Sequence, residues 1–209
     1  CSIFTIAASS KLFFSEIDNR TMLTLLAKPV WRTEFILGKY LGILGVVTLF
    51  CAVMTALLAA VLWSRETVLI HEHPELFEQG RQWHFAGVAA VGLAHWLRFS
   101  VLAALTLLIA SFARSSLYTI AVSFGLLVIC HLQFLAQEAY ARAGTLGGRL
   151  LAGLSALLFP NFQVFNLGEL ADADGGIAPA LLARVAGYAL LYVAMAGALT
   201  VFSFKRREI

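Results

Sequence analysis

Long apolar stretches without charge are the feature that most constrains this chain. Three of them, 40–64, 115–137 and 185–204, contain no Asp, Glu, Lys or Arg. Each has the ~20 residues that a helix needs to cross a bilayer core. A fourth stretch, 83–113, is also long enough, although Arg98 interrupts it. Since a backbone in lipid has to satisfy its own hydrogen bonds, the sequence predicts an all-α polytopic transmembrane helical bundle.

Composition agrees with lipid as the main solvent. The 209 residues are 60% apolar and only 13% charged, which excludes an ordinary soluble domain and a disordered chain. A formal net charge of +3 gives no reason to expect a nucleic-acid partner. The three dispersed cysteines have no spacing typical of a disulfide framework or a metal site. We expect Cys51 and Cys130, which lie in apolar stretches, to be buried.

The chain is interpreted as one transmembrane domain, 1–209, with one ambiguous apolar segment at 150–168. Pro160 breaks the helical hydrogen-bond ladder there, which favours two short helices, re-entrant or at the interface, over a complete span. Residues 1–10 are interpreted as the end of an upstream span, 11–39 as a cytoplasmic unit and 138–180 as external or re-entrant helices. The expected spans are about 40–63, 84–112, 116–137 and 181–204.

Cationic residues outside the spans test whether 150–168 crosses, because Lys and Arg concentrate in cytoplasmic loops. Without a crossing, one side carries nine cations and the other five; with a crossing, each side carries seven. The non-crossing topology is therefore favoured, and it places 11–39 and the C-terminus in the cytoplasm. The nine are Lys11, Arg20, Lys28, Arg32, Lys39, Arg114, Lys205, Arg206 and Arg207, and the five are Arg65, Arg81, Arg142, Arg149 and Arg184.

The cytoplasmic unit is predicted to contain two helical pieces. Ser15 and Asp18 have the spacing of a capping box, which predicts a helix from Ser15 to about residue 27. Pro29 ends that helix, and a second start near 32–34 leads into the span beginning at Tyr40. Such a unit is either a helix lying on the membrane surface or a docking element for a soluble partner.

The residues of this unit resemble a known family. With the span that follows them, they look like the cytoplasmic loop of ABC type-2 exporter permeases, which contains the coupling helix. The basic ending at 204–208 and a broken helix pair, 150–159 and 161–170, are similar to the same family. Arg20 departs from the pattern, since a small residue is more usual there. The residues that carry the resemblance are Glu16, Thr21, Leu25, Leu26, Pro29, Val30, Arg32, Glu34, Gly38 and Lys39.

The resemblance implies a permease that couples ATP hydrolysis in a separate ABC ATP-binding subunit to export through a permease dimer. It also implies a bacterial inner membrane, a chain that lacks its first span and most of its second, and membrane lipid and a second copy, identical or not, as partners. ATP and Mg would bind in the partner subunit, with no cofactor in this chain. The coupling residues would be Glu16, Asp18, Arg20, Thr21, Leu25, Leu26, Lys28 and Pro29.

The sequence lacks a nucleotide site of the P-loop type. Gly38-Lys39 is followed by Tyr40, and Thr33 stands where the first Gly of the motif belongs. The chain is therefore expected to be a transport subunit and not an enzyme. Two alternatives stay open: a permease-like anchor or signalling subunit that does not transport, and an intramembrane enzyme that depends on histidine. No nucleophile or metalloprotease motif in the sequence supports the enzyme alternative.

Polar residues within spans are candidates for function. His95 and Arg98 are three residues apart on one helix face, and His131 lies on the next span. They form either a cationic patch that faces an anionic substrate or the dimer seam, or a packed hydrogen-bonding cluster. His71 and Glu72, with the acidic and histidine residues that follow them, are interpreted as a solvated external loop and not as a metal site.

Overall fold

A computed structural model describes residues 1–18, 32–72, 84–142, 158–168 and 177–205, together with 147–148, 150 and 153–154. The described residues contain no strand, so the prediction of an all-α bundle is confirmed for them. In chain order the elements are α1 (Ser2–Asp18), α2 (Arg32–Glu72), α3 (Phe85–Phe112), α4 (Ser116–Arg142), a 3₁₀ helix (Phe162–Phe165) and α5 (Pro179–Lys205).

Four described helices, α2 to α5, are long and apolar enough to cross a membrane. Helix α2 begins at Arg32, where the sequence predicts a helix start, but it continues to Glu72. The prediction that His71 and Glu72 lie in a loop is therefore wrong, because 65–72 contains no Gly or Pro that would stop the helix. The 41 residues of α2 span ~60 Å, about twice the thickness of a bilayer core.

Helix α3 is the centre of the bundle. It contacts α1, α2, α4, α5 and the 3₁₀ helix. Most of its apolar window, 72%, is buried inside the chain, against 17–28% for the other three candidate spans. Small residues along α3, including Gly92, Ala94, Ala103 and Ala110, allow neighbouring backbones to approach closely.

Two apolar clusters lie on different faces of α3. The first joins the end of α1 and the first half of α2 to the C-terminal half of α3, through Phe13, Phe14, Ile36, Ile43, Phe99, Leu107 and Ala113. The second joins α3 to α4, α5 and the 3₁₀ helix, through Leu97, Val101, Leu127, Cys130, Phe162, Phe165, Val185 and Tyr192. Cys51 and Cys130 are buried as free thiols, as predicted. Helix α3 contributes several residues to each cluster, and α1, through Ile6, also reaches the second.

Helix α1 does not begin at Ser15, as the capping-box pattern predicted. It runs without interruption from Ser2 to Asp18, and the hydroxyl of Ser15 donates to the Leu12 carbonyl at 3.3 Å. The reason is a buried helix face that precedes this point, with every member at most 3% exposed: Thr5, Ile6, Ser9, Ser10, Phe13 and Phe14. Burial of this face outweighs a local capping preference.

The segment around Pro160 enters the bundle as a short turn. The predicted second helix of the pair, 161–170, is wrong over 161–167, where only Phe162–Phe165 form a 3₁₀ helix. The side chain of Asn161 accepts from Gln163 N at 2.9 Å, and Asn161 N donates to the Tyr188 hydroxyl of α5 at 2.8 Å. These bonds replace helical partners and satisfy polar backbone inside the bundle.

Candidate functional site

The intramembrane polar residues meet where α3 and α4 pack on the 3₁₀ helix. Nη2 of Arg98 lies 3.3 Å from both ring nitrogens of His131. A guanidinium has no acceptor, so Nη2 is the donor and the imidazole nitrogen that carries no proton accepts. Arg98 of α3 and His131 of α4 therefore form a hydrogen-bonded pair between the two helices.

Two phenylalanine rings complete the surroundings of Arg98. Its Cζ lies 5.2 Å from the centre of the Phe162 ring and 6.0 Å from that of Phe99. His131 meets Phe162 edge to face, with centroids 6.3 Å apart. Arg98, His131, Phe99 and Phe162 are called the Arg98 cluster below. Cation–π attraction of this kind stabilises a charge by about 0.5–2 kcal/mol per contact.

His95 lies one helical turn from Arg98 and is not part of the Arg98–His131 pair. Its ring stacks on Phe99 at 6.3 Å with an interplanar angle of 19°. The structure thus brings Arg98 and His131 together, as one of the sequence-based interpretations required, and links His95 to them only through the Phe99 ring. Whether these residues act in function stays a prediction.

Phe99 and Phe162 are the members of the cluster that the sequence did not indicate as functional, and Phe162 comes from a separate segment. The segment around Pro160 predicted a broken helix, but its approach to Arg98 depends on tertiary packing. Tyr188 holds the turn through Asn161, and the Phe162 and Phe165 side chains are each 1% exposed. An aromatic residue next to a Pro-Asn break in an apolar segment is the signal that could have directed attention here.

The Arg98 charge has no carboxylate partner within ion-pairing distance among the described residues. Its Nε is buried and makes no hydrogen bond in that part of the chain. The ion pair that the structure does show, Arg142 with Glu138 at 3.9 Å, is exposed near the end of α4. A positive charge near the middle of a span is thus balanced by aromatic rings alone in the described structure.

The two arms of the predicted coupling segment converge at one end of the bundle, called here the loop end. Lys39 Nζ of α2 donates to the Leu12 carbonyl of α1. The Ser10 hydroxyl of α1 lies 3.1 Å from the Ser116 carbonyl and 2.9 Å from its hydroxyl, at the start of α4. The loop end therefore contains the last turns of α1, the first turns of α2 and the connection from α3 to α4.

Most of the predicted coupling residues lie outside the described part of the chain. Glu16 and Asp18 occupy the last turn of α1. Arg20, Thr21, Leu25, Leu26, Lys28 and Pro29 are not among the described residues. Their assignment to a coupling site stays a prediction.

The described residues contain no group of three or more His, Cys, Asp or Glu that could hold a metal ion. His71 lies in the last turn of α2, where its Nδ1 is 3.0 Å from the Thr67 carbonyl. His73, Glu75 and Glu78, which complete the acidic and histidine-rich sequence, fall outside the described ranges.

A groove of about 540 Å³ lies between α2, α3 and α5, close to the loop end. Its walls are apolar apart from Tyr40 and Thr200, whose hydroxyls donate to the carbonyls of Ser100 and Ala196. The groove therefore presents hydrocarbon to the surrounding lipid and has no arrangement suited to chemistry.

Comparison with known protein families gives a match over the whole chain. The model of the family described as ABC-2 family transporter protein matches residues 1–209. Searches of curated proteins and of solved structures found no match. The match covers the whole sequence and agrees with the apolar helices α2 to α5. This chain belongs to the ABC-2 transporter family.

Proposed function

We propose that this chain is the permease subunit of an ATP-driven exporter and receives its driving force at the 11–39 segment. The observation that carries the proposal is the packing of both arms of that segment on α3, the helix that also holds Arg98. Family membership implies association with an ABC ATP-binding subunit. ATP and Mg belong to that subunit, since the Gly38-Lys39 sequence lacks the rest of a P-loop.

The loop end has the contacts that a mechanical connection requires. Phe13 and Phe14 of α1 and Ile36 of α2 belong to one buried cluster with Leu107 of α3 and with Ala113, which caps that helix. Close-packed apolar contacts transmit displacement because they cannot be compressed. A push on the segment between the arms would therefore move α1, α2 and the C-terminal half of α3 together.

Further along α3, the second cluster joins the same helix to α4, α5 and the 3₁₀ helix. Tilting of α3 would change the position of Arg98 relative to His131 and Phe162, which other elements carry. Rigid-body motion of packed helices is a common way to convert a local event into a global one. Closure of the ATP-binding subunits is thereby coupled to the centre of the membrane.

The proposal includes a second permease copy, identical or not. One bundle of this size is a thin wall, whereas two can enclose a pathway. His131 is exposed on the surface of α4, and a polar group at that depth belongs against a pathway or a partner, not against lipid. The charge bias places 11–39 and the C-terminus in the cytoplasm, and the membrane would be a bacterial inner membrane.

Co-purification tests the docking site. The chain is isolated in mild detergent and its partners are identified by mass spectrometry, with the double variant Glu16→Ala/Leu25→Asp in parallel. We expect an ATP-binding subunit with the intact chain and its loss from the variant. The matched control, Glu72→Ala/Leu69→Asp, makes the same changes on exposed side chains at the other end of α2 and should keep the partner.

Absence of an ATP-binding subunit from the intact chain, or equal retention by the variant, would refute the proposal. Size-exclusion profiles of both variants must match that of the intact chain, so that loss of the partner is not loss of the fold. A non-transporting anchor would dock in the same way. ATP-dependent uptake of cargo into inverted vesicles separates the two, since only a transporter accumulates cargo.

A further inference from the structure

We infer that the Arg98 cluster binds the anionic head of an amphipathic molecule near the middle of the membrane. This inference rests on the proposed function, because it assigns the class of the exported cargo. The class is an alkyl or other apolar body with one phosphate, sulfate or carboxylate head.

Depth is the first step of the argument. Arg98 stands thirteen residues from the first residue of α3, Phe85, and fourteen from its last, Phe112, so it lies ~20 Å from either end. This is near the middle of a hydrocarbon core ~30 Å thick. Keeping a guanidinium there costs at least ~2.5–3.5 kcal/mol, so charged residues at this depth usually mark pathways.

Charge balance is the second step. The carboxylates whose side chains the structure describes, Glu34, Glu66, Glu72 and Glu138, all lie within about two turns of a helix end. The described structure therefore provides no anion at the depth of Arg98. The Arg98 Nε, buried and without a described acceptor, adds a specific donor that remains to be satisfied.

Access is the third step. Arg98 is half-buried, and the His131 ring to which it is hydrogen-bonded is exposed. The cluster therefore reaches the surface of the described bundle. A charge does not face hydrocarbon, so this surface must face a polar pathway or a partner copy, from either of which a ligand can approach.

The surrounding chemistry selects the ligand class. A guanidinium presents a planar fork of donors that matches phosphate, sulfate and carboxylate oxygens. The Phe99 and Phe162 rings are buried and hold the guanidinium in place. Beside the exposed His131, α4 presents the exposed side chains of Val128, Leu132 and Leu135, which favour an apolar body next to that head. A small inorganic anion would also lose its hydration on binding, but it has no apolar body whose contacts offset that cost. An amphiphile satisfies both halves of the site.

Binding is measured on the purified chain in a neutral maltoside detergent, with dodecyl phosphate as the probe and dodecanol as the uncharged comparison. We expect dodecyl phosphate to bind at least about tenfold more tightly than dodecanol, since one hydrogen bond to a charged group accounts for that factor. Arg98→Gln should remove the preference. Arg114→Gln, at the exposed connection between α3 and α4, should keep it.

Equal binding of the two probes, or equal weakening by Arg98→Gln and Arg114→Gln, would overturn the inference. If Arg98→Gln does not fold, Arg98→Lys replaces it. Lysine keeps the charge but loses the fork, so the preference should fall several-fold, and an unchanged preference would count against the site.

The assay uses the permease alone, so its failure leaves the docking proposal intact, and failure of docking leaves this assay intact. Cargo is distinguished from a static lipid in the complex with the ATP-binding subunit. Dodecyl phosphate should stimulate ATP hydrolysis by the wild-type complex and not by the Arg98→Gln complex, which should still assemble. Binding without stimulation would overturn the assignment as cargo.

Discussion

Replacing Gly92 with Ala should force α2 and α3 apart. A Cβ atom on Gly92 would lie 2.5 Å from Thr55 Oγ1, 2.8 Å from Thr55 Cγ2 and 3.2 Å from Thr55 Cβ. Two branches of the same side chain are therefore in the way, and threonine in a helix is largely restricted to two rotamers. Rotation of Thr55 cannot clear the space, so the backbones have to move.

The size of the effect follows from two opposing contributions. Overpacking in a fitted interface costs about 1–3 kcal/mol. Gly→Ala within a helix also gains up to about 1 kcal/mol from helix propensity. Gly45 on α2 is exposed, and a Cβ there meets nothing within 4 Å. Gly45→Ala therefore has only the gain in helix propensity and no overpacking cost. The difference between the two variants isolates the overpacking cost.

Thermal unfolding in detergent, followed by the loss of monodisperse protein, gives the comparison. At roughly 2–4 °C for each kcal/mol in a chain of this size, Gly92→Ala should melt several degrees below Gly45→Ala. Adding Thr55→Ala to Gly92→Ala removes both blocking atoms, Oγ1 and Cγ2, and should reverse the fall in melting temperature that Gly92→Ala causes. If the two glycine variants melt together, or if Thr55→Ala restores nothing, the close approach of α2 and α3 at Gly92 is wrong.

Two further predictions concern the bonds that hold the outer elements of the bundle. Tyr188→Phe removes the acceptor of Asn161 N and should lower the free energy of unfolding by about 1–3 kcal/mol. The control Tyr118→Phe, at an exposed position on α4, should change it little. Equal melting temperatures of the two variants would contradict this prediction. Ser10→Ala removes the link to Ser116 and should cost about 0.5–1.5 kcal/mol, with faster proteolysis of α1 as the readout; an unchanged cleavage rate would count against it.

Local patterns in the sequence predicted some elements and misplaced others. The start of α2 at Arg32 and the break at Pro160 follow from short-range chemistry, and both agree with the structure. The start at Ser15 does not, because a buried face from Thr5 to Phe14 makes α1 helical well before Ser15. A cap is a preference of about 1 kcal/mol, which tertiary burial of several apolar side chains exceeds.

The candidate site was only partly predictable for a related reason. Arg98 and His131 are conspicuous because polar residues in apolar stretches are rare. Phe99 and Phe162 are not conspicuous, since aromatic residues are abundant throughout this chain. Which rings surround Arg98 depends on the turn at Asn161, which Tyr188 of α5 holds in place.

The sequence by itself determined that the chain is a bundle of membrane-spanning helices, because apolar length and the absence of charge are properties of each segment alone. It also determined the family, through the whole length of the chain. Only the tertiary structure decided that α3 is the core of the bundle and that α2, which contains the most apolar 18-residue window, is the least buried of the four candidate spans. The physical reason is that lipid and protein interior are equally apolar, so hydropathy selects the helices but does not distinguish the faces that meet one another.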